Sequence, residues 1–275
     1  MLEIELKGKQ IPSVLYVNID GHLIKMEQRT KTAFSHTMYN LSASHIIVFT
    51  DGEYESIQYT LNVLPKPNLN SFQVKLTYPP YINKKNETIK NTGDLTVPEG
   101  TKLEWIFDAV DADLINFNIN LKDFKLEPKS NGFLFNYTAL RTCNYTIVLQ
   151  NKFIQEHDTI KYSIQVVPDR YPGIVAEQTI DSINSFKYYF YGKLDDDYGI
   201  NKLQFVYKGL DGILKYLPVN VGKSTDEIFY YMLDLTQFKG SESSDFEYYF
   251  EVWDNDAVNG RKSSKSQVFK LQTPS

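Results

Sequence analysis

The sequence predicts an all-β protein built from tandem immunoglobulin-like β-sandwich domains. Three observations support this fold class: apolar and polar residues alternate along several segments, no segment has a convincing helical stripe, and strand ends followed by proline recur along the chain. A seven-strand sandwich needs about 100 residues. The 275 residues therefore have room for two or three such domains.

Four segments have the period of two that is expected where side chains point alternately to the two faces of a sheet. Their apolar positions are Leu103, Trp105 and Phe107; Tyr145, Ile147 and Leu149; Phe186, Tyr188, Phe190 and Leu194; and Phe246, Tyr248, Phe250 and Val252. Trp105 lies in the strand that follows a Pro-Glu-Gly turn. We expect it to be a core residue between two sheets, the alternative being an exposed residue that stacks on sugar.

The domain boundaries follow from a repeated strand ending. Residues 59–65 resemble residues 162–168, and residues 269–274 are a looser third copy. Proline cannot donate to a ladder, so each copy is predicted to close a domain. The domains are then residues 1–66, 67–168 and 169–275, joined through residues 65–67 and 168–172. Residues 1–66 lack an opening strand, so we expect this first sandwich to be truncated at its N-terminus.

Composition and motifs exclude several functions. The net charge is −5 with no basic block, which predicts that nucleic acid is not a partner. No apolar run approaches the roughly 18 residues needed to span a bilayer, so this part of the chain should not itself cross a membrane. Cys143 is the single cysteine, which excludes an internal disulfide. Zinc-binding HExxH, P-loop and nucleophile-elbow motifs are absent, so we expect no enzymatic activity and no cofactor other than a possible Ca²⁺ ion.

Five segments together carry a family resemblance. They are Pro79-Pro80-Tyr81, residues 91–101 (NTGDLTVPEGT), residues 168–172 (PDRYP), residues 194–200 (LDDDYGI) and residues 253–260 (WDNDAVNG). They resemble a bacterial family of large membrane-anchored proteins that is described as a domain of unknown function. The resemblance implies an interior fragment of the extracytoplasmic, periplasmic part of such a protein. It implies no activity.

Two acidic segments form the strongest candidate site. Asp195-Asp196-Asp197 and Asp254-Asn255-Asp256 each follow a predicted strand. In an immunoglobulin-like strand order these two loops are neighbours at one end of the sandwich. The oxygens of Asp196, Asp197, Asp254 and Asp256 could then bind Ca²⁺. The alternative, which we favour because neither loop has calcium-loop spacing, is that these side chains accept backbone N–H groups in turns. Backbone N–H groups, a cation such as Arg261, or a divalent ion would offset their charge.

Two classes of function remain open for this sequence. The first is a non-catalytic structural stalk or protein-interaction region, whose partners are other proteins or other regions of the same chain. The second is a module that binds glycan or peptidoglycan of the cell wall. Tyr189, Tyr191, Tyr230 and Tyr249 are expected on an outer sheet face, where they would either stack on a ligand or pair across strands.

Overall fold

The computed structural model describes residues 1–154, 158–184, 186–209, 211–237 and 246–270. Residues 271–274, which belong to the looser third copy of the strand ending, lie outside the described residues. Within those ranges the regular structure consists of β-strands and two short 3-10 turns, with no α-helix. The predicted fold class, tandem immunoglobulin-like β-sandwiches, is confirmed. The chain divides into two compact units, residues 1–67 with 151–156 and residues 68–150 with 157–275.

The first unit contains seven strands in two small antiparallel sheets. The strands are β1 (Leu2–Glu5), β2 (Tyr16–Ile19), β3 (His22–Lys25), β4 (Glu27–Gln28), β5 (Ala33–His36), β6 (His45–Thr50) and β7 (Tyr59–Leu61). The sheet orders are β1-β5-β4 and β3-β2-β6-β7. Val17, Phe34 and Ile47 are among the residues buried between them.

The second unit begins with a sandwich of nine strands, here called the second sandwich. The strands are β8 (Asn68–Thr77), β9 (Glu87–Lys90), β10 (Leu95–Pro98), β11 (Thr101–Val110), β12 (Leu114–Ile119), β13 (Lys122–Leu126), β14 (Phe133–Ala139), β15 (Cys143–Gln150) and β16 (Thr159–Val167). A 3-10 turn, Pro80–Ile82, follows β8. The sheet orders are β14-β11-β8-β9 and β10-β16-β15-β12-β13, and β10 pairs with β16 in parallel.

The same unit continues into the third sandwich. Its strands are β17 (Gly173–Ile180), β18 (Lys187–Asp195), β19 (Ile200–Lys208), β20 (Leu214–Val219), β21 (Asp226–Asp234), β22 (Glu247–Asp254), β23 (Ser263–Lys265) and β24 (Phe269–Lys270). A 3-10 turn, Leu235–Gln237, follows β21. One sheet has the order β17-β18-β21 and the other β20-β19-β22-β23, with β24 also paired to β22.

The alternating segments bury their apolar faces, as the period of two predicts. All the residues listed for the strands around Trp105, Tyr145 and Tyr248 are buried. Phe186 is the exception, because it is 55% exposed and β18 begins only at Lys187. Three separate hydrophobic cores form, one each within residues 2–61, 69–166 and 174–269. The predicted boundaries at residues 66 and 168 remain a prediction.

Trp105 is the centre of the second core. It is fully buried, and the rings of Phe117, Phe135 and Tyr145 lie 5.4 to 5.9 Å from it. The prediction that Trp105 is a core residue is therefore confirmed, and the sugar-stacking alternative is wrong. Such aromatic packing contributes beyond the area it buries.

The polar atoms of this core also have partners. The indole Nε1 of Trp105 donates to the Tyr145 hydroxyl at 3.4 Å, and that hydroxyl donates to the carbonyl of Gly93 at 2.7 Å. Gly93 is required there because a Cβ at this position would lie 2.2 Å from the ring of Tyr162. The segment before β10 is thus fixed onto the core by one buried hydroxyl.

Candidate functional site

The candidate site lies at one end of the third sandwich, where three chain segments meet. Gly173, the first residue of β17, pairs with Asp195 at the end of β18, and Ile200 at the start of β19 pairs with Asp254 at the end of β22. These pairings bring the segment before β17, the β18–β19 loop and the β22–β23 loop to the same end. The expectation that the two acidic loops are neighbours is confirmed.

The structure brings Asp196 and Asp254 together with a third carboxylate, Asp169. One carboxylate oxygen of each lies within 4.8 Å of the others. The side chain of Asp169 is only 2% exposed and that of Asp254 is fully buried. Asp169 was not among the residues predicted for this site, because in the sequence it belongs to the linker at residues 168–172.

Lys262 is the cation of the site. Its Nζ lies 2.8 Å from Asp256, 2.9 Å from Asp254 and 3.5 Å from Asp169. A lysine or arginine was expected here from the sequence and Lys262 takes that place, whereas Arg261, the residue named as an example, is exposed. The pKa of Lys262 is raised: burial alone would lower it, but the hydrogen bond to Asp256 and the ion pair with Asp254 stabilise the charged form.

Asp196 and Asp256 organise their own loops. Oδ2 of Asp196 accepts the backbone N–H groups of Tyr198 and Gly199 at 2.9 and 2.8 Å. Oδ1 of Asp256 accepts those of Val258 and Asn259 at 2.7 and 3.2 Å. The turn role predicted for these aspartates is confirmed. It uses one oxygen of each carboxylate and leaves the other available for a further interaction.

Asp197 lies apart from these carboxylates. Its side chain is 30% exposed, and Oδ2 faces the backbone N–H and the Nε of Arg170 at 3.2 and 3.7 Å. Asp256 directs its second oxygen to Lys262. Of the four residues predicted to bind Ca²⁺, only Asp196 and Asp254 therefore contribute to the three-carboxylate group. Metal binding by the predicted set stays a prediction.

Several buried oxygens at this site accept no hydrogen bond from any described residue. They include both oxygens of Asp169, Oδ1 of Asp196 and Oδ1 of Asn255. Oδ2 of Asp254 also lacks a hydrogen bond of normal geometry, but it faces Nζ of Lys262 at 2.9 Å and we regard that ion pair as its partner. A buried carboxylate without donors is costly, since it has lost water and gained nothing in exchange.

The crowding of carboxylates changes their acidity. Burial raises the pKa of Asp169 to about 6; Lys262 opposes the rise, and the negative charges of Asp256, Asp196 and Asp254 add to it. Burial also raises the pKa of Asp196, against the two backbone hydrogen bonds it accepts. The pKa of Asp256 is lowered instead, because the hydrogen bonds from Lys262 and from two backbone N–H groups outweigh its burial.

Residues of the second sandwich cover this end of the third. The ring of Tyr81, in the 3-10 turn after β8, meets the ring of Tyr198 edge-on with centroids 5.8 Å apart. Nδ2 of Asn255 donates to the carbonyl of Tyr198 at 2.8 Å and lies 3.5 Å from that of Tyr81. A Cβ on Gly100 would lie 2.5 Å from Val258. We call these contacts the junction.

The junction unites the segments that carry the family resemblance. Tyr81, Gly100, Asp169, Tyr198 and Asn255 each come from a different one of the five segments named in the sequence. The structure therefore gives these otherwise dispersed motifs one location. Their shared place was hidden in the sequence because the segments are separated by tens of residues.

The tyrosines predicted on an outer sheet face form a second candidate site. Tyr189, Tyr191 and Tyr230 are exposed, Tyr230 by 74%, and the rings of Tyr191 and Tyr230 lie 5.3 Å apart on neighbouring strands. Tyr249 is half-buried on the other sheet, beneath Nζ of Lys265. Cross-strand pairing of tyrosines is thus confirmed for Tyr191 and Tyr230, and their outer faces remain open to solvent.

In the part of the chain that the structure describes, no helix is long and apolar enough to cross a membrane.

Comparison with known proteins identifies no family for this chain. No family model matches the chain, and neither does any curated protein. The three-domain ectodomain of mouse nectin-like molecule 4 aligns with 98% of this chain and 92% of its own, at 10% identity and a TM-score of 0.39. A tetra-tandem repeat from the extending region of a large adhesion protein aligns with 95% of this chain and 67% of its own, at 8% identity and a TM-score of 0.30. Fibronectin(III)-like modules of Clostridium thermocellum CbhA align with 64% and 90%, at 12% identity and a TM-score of 0.23. Nothing about function follows from likenesses this distant.

Proposed function

We propose that this chain is a non-catalytic, extracytoplasmic β-sandwich module of a larger membrane-anchored protein, acting as a structural stalk or protein-interaction region. The observation that carries the proposal is the junction. Side chains from both the second and the third sandwich fill it, and Asp169 of the connecting segment is itself buried there. A spacer that holds other regions apart needs such a fixed connection.

Residues 168–172, which connect the second and third sandwiches, explain why these two sandwiches should not rotate relative to one another at the junction. Domains joined by an exposed linker move relative to one another by default. Here the linker residue Asp169 faces Lys262 of the third sandwich, and its neighbour Arg170 donates its backbone N–H to Asp197. The connecting segment is therefore tied to the third sandwich through the side chain of Asp169 and the backbone of Arg170, and the second and third sandwiches should move as one block.

The location and the partners are supported by the sequence resemblance. Members of the family it points to are anchored in the membrane and carry β-rich domains outside the cytoplasm. The partners we propose are other proteins or other regions of the same parent chain. In the parent protein, a membrane-impermeant maleimide should label Tyr54→Cys, in a Cys143→Ala background, without lysis; labelling only after lysis would contradict the proposed location.

Spin-label distances test the stalk directly. Lys102 and Lys193 are exposed residues of β11 and β18 on either side of the junction. With Cys143 replaced by alanine, labels on Lys102→Cys and Lys193→Cys should give one narrow distance distribution, because the two sandwiches form one block. A matched pair within the second sandwich, Lys102→Cys and Lys122→Cys, sets the width of a rigid reference. A distribution much broader than this reference would contradict the stalk.

A second candidate function is binding of cell-wall glycan, and the exposed tyrosines favour it. Sugar rings stack on aromatic faces, and Tyr191 and Tyr230 present two adjacent faces on one sheet. A depression on the β8-β11-β14 sheet holds one aromatic residue, Tyr137, and offers no such pair. Co-sedimentation with purified peptidoglycan should be lost in Tyr191→Ala/Tyr230→Ala and kept in Tyr216→Ala, an exposed tyrosine on the opposite sheet. Absence of sedimentation by the unaltered chain would eliminate this candidate.

A further inference from the structure

We propose that Asp169, Asp196 and Asp254 together bind a Ca²⁺ ion beneath the junction of the second and third sandwiches. This set differs from the four residues predicted from the sequence, since Asp169 enters it and Asp197 and Asp256 leave it. The proposal goes beyond a stalk function, which requires a fixed junction but not a metal.

The first argument is charge. Asp169, Asp196, Asp254 and Asp256 carry four carboxylates, and Lys262 is the one cation with its charge within 4.0 Å of any of them among the described residues. Like charges at such separations repel strongly where water is excluded. A divalent ion would offset most of the remaining negative charge.

The second argument is independent of charge and comes from the hydrogen bonds. The carboxylate of Asp169 is 98% buried, yet neither oxygen accepts a hydrogen bond of normal geometry from a described residue. Burial, the charges of Asp256 and Asp169 and a contact of its hydroxyl with Asp169 raise the pKa of Tyr81, but that contact lies outside normal hydrogen-bond geometry. Asp196 uses Oδ2 for its turn, so Oδ1 is buried and unpartnered. Atoms left in this state in a native structure call for a missing partner.

The third argument is geometry. The three ligand atoms lie within 4.8 Å of one another, which is about the separation of oxygens on opposite sides of a Ca²⁺ ion that binds them at about 2.3 to 2.6 Å. All three are carboxylate oxygens, the donor type of hard cations. They come from three separate segments, and Ca²⁺ tolerates such irregular arrangements better than Mg²⁺, which demands a near-ideal octahedron.

Lys262 can remain at the site when the ion binds. Its shortest contact is to Oδ2 of Asp256, at 2.8 Å, and Asp256 is outside the three-carboxylate group. Binding requires Asp254 to exchange its ion pair with Lys262 for the metal, while the pair with Asp256 stays. The ion would then connect the linker, through Asp169, to both loops of the third sandwich.

The test begins with the complete chain of 275 residues, freed of metal by a chelator that is then removed. The melting temperature should rise by about 5 °C when Ca²⁺ reaches 100 times its Kd, because an ion that binds only the folded state stabilises it by mass action. Mg²⁺ at the same concentration should give a smaller rise, and NaCl of equal ionic strength none. No response to Ca²⁺ overturns the proposal, and an equal or larger response to Mg²⁺ overturns the assignment of the ion.

Two matched variants separate the site from its surroundings. Asp169→Asn should abolish the Ca²⁺ response, yet in chelator it should melt at or above the unaltered chain, since it removes a buried charge that accepts no hydrogen bond of normal geometry and whose cation, Lys262, is 3.5 Å away. Asp197→Asn, one residue from Asp196 but outside the group, should keep the full response. If Asp169→Asn retains the response, or if it melts well below the unaltered chain in chelator, the role of Asp169 is structural and the proposal fails.

A direct readout covers the case in which Asp169→Asn does not fold. Tb³⁺ takes Ca²⁺ sites and emits when excited through a nearby tyrosine, and Tyr81 and Tyr198 adjoin the carboxylates. The unaltered chain and Asp197→Asn should both sensitise Tb³⁺, and Ca²⁺ should quench the signal by displacement. Absence of sensitised emission, or emission that Ca²⁺ leaves unchanged, overturns the proposal.

Discussion

The indole N–H groups of the two tryptophans are both buried, but only one of them has an acceptor among the described residues. Trp105 in the second sandwich donates its indole N–H to Tyr145, whereas the Nε1 of Trp253 in the third is buried and has no acceptor among the described residues. The contrast extends beyond the indoles. Within residues 68–154 and 158–168 every buried polar side-chain atom has a partner, while the end of the third sandwich leaves Asp169, Asp196 and Asn255 with unpartnered oxygens.

This difference separates a region whose buried polar atoms are satisfied from one whose buried carboxylates are not. A core whose polar atoms are all satisfied gains from burial at little electrostatic cost. Buried carboxylates whose oxygens accept no hydrogen bond lower the stability of the folded state. Their presence in a native structure calls for an explanation, such as a missing partner. The predictions below therefore concern stability in the second sandwich and the connection between the sandwiches at the junction.

The largest effect is expected for Trp105→Ala. Removal of the ring that three other aromatic residues surround should lower the free energy of unfolding by about 3–5 kcal/mol. Phe124→Ala, at a half-exposed position of the same sandwich, should cost much less. Trp253 is then the only tryptophan left, so its fluorescence in a denaturant titration shows whether the third sandwich unfolds together with the second. An unchanged unfolding midpoint would contradict the central role of Trp105.

A smaller effect is expected for Gly100→Ala, which adds one methyl group to the junction. Gly100 has φ +83, and its Cβ would lie 2.5 Å from Val258. Backbone strain of about 1 kcal/mol and overpacking of about 1–3 kcal/mol should add. Gly21→Ala is the matched control, because Gly21 has φ +93 but no atom within 4 Å of its Cβ. Equal losses in calorimetry for the two variants would show that the contact with Val258 is unimportant.

The smallest effect is expected for Tyr145→Phe. The ring stays, but the carbonyl of Gly93 loses its donor and the indole of Trp105 its acceptor, at a cost of about 1–2 kcal/mol. Tyr230→Phe, at an exposed position, should change stability by less than about 0.5 kcal/mol. The two melting temperatures, compared with that of the unaltered chain, measure what one satisfied buried hydroxyl contributes. A neutral Tyr145→Phe would weaken the contrast between the two sandwiches.

The sequence predicts most of the fold because burial on one face of a strand leaves a period-two pattern. That pattern alone correctly predicts which residues of two strands face the core. They are Phe246, Tyr248, Phe250 and Val252 in one strand and Leu103, Trp105 and Phe107 in the other. Phe186 is placed on the core face incorrectly, because the alternation extends one residue before β18 begins at Lys187. The pattern carries no information about where the strand starts. Hydrophobic alternation shows which side chains of a strand face the core, whereas pairing with neighbouring strands decides how long the strand is.

The sequence predicts only part of the acidic site at the end of the third sandwich, and the reason is again physical. Strand order places Asp196 and Asp254 at one end of the sandwich, so their proximity follows from the fold class. Asp169 reaches these carboxylates only because of the path that residues 168–172 take between the two sandwiches. Lys262, and not Arg261, is the cation of the site because its side chain points toward the carboxylates. The position of Asp169 directly after a strand-ending proline, within one of the five resemblance segments, was the available signal.

The parallel pairing of β10 with β16 has a mechanical consequence. The two strands hydrogen-bond side by side from Leu95 with Ile164 to Pro98 with Val167. When force is applied to Leu95 and Val167, at opposite ends of this pair, the parallel neighbours slide lengthwise, and the bonds between them bear the load together rather than opening one at a time as in a hairpin. In single-molecule stretching this sandwich should therefore yield abruptly, in one event, and Val97→Pro, which removes an N–H from β10, should lower the force of that event. A chain that spaces other regions under tension would gain from a sandwich that either holds or breaks.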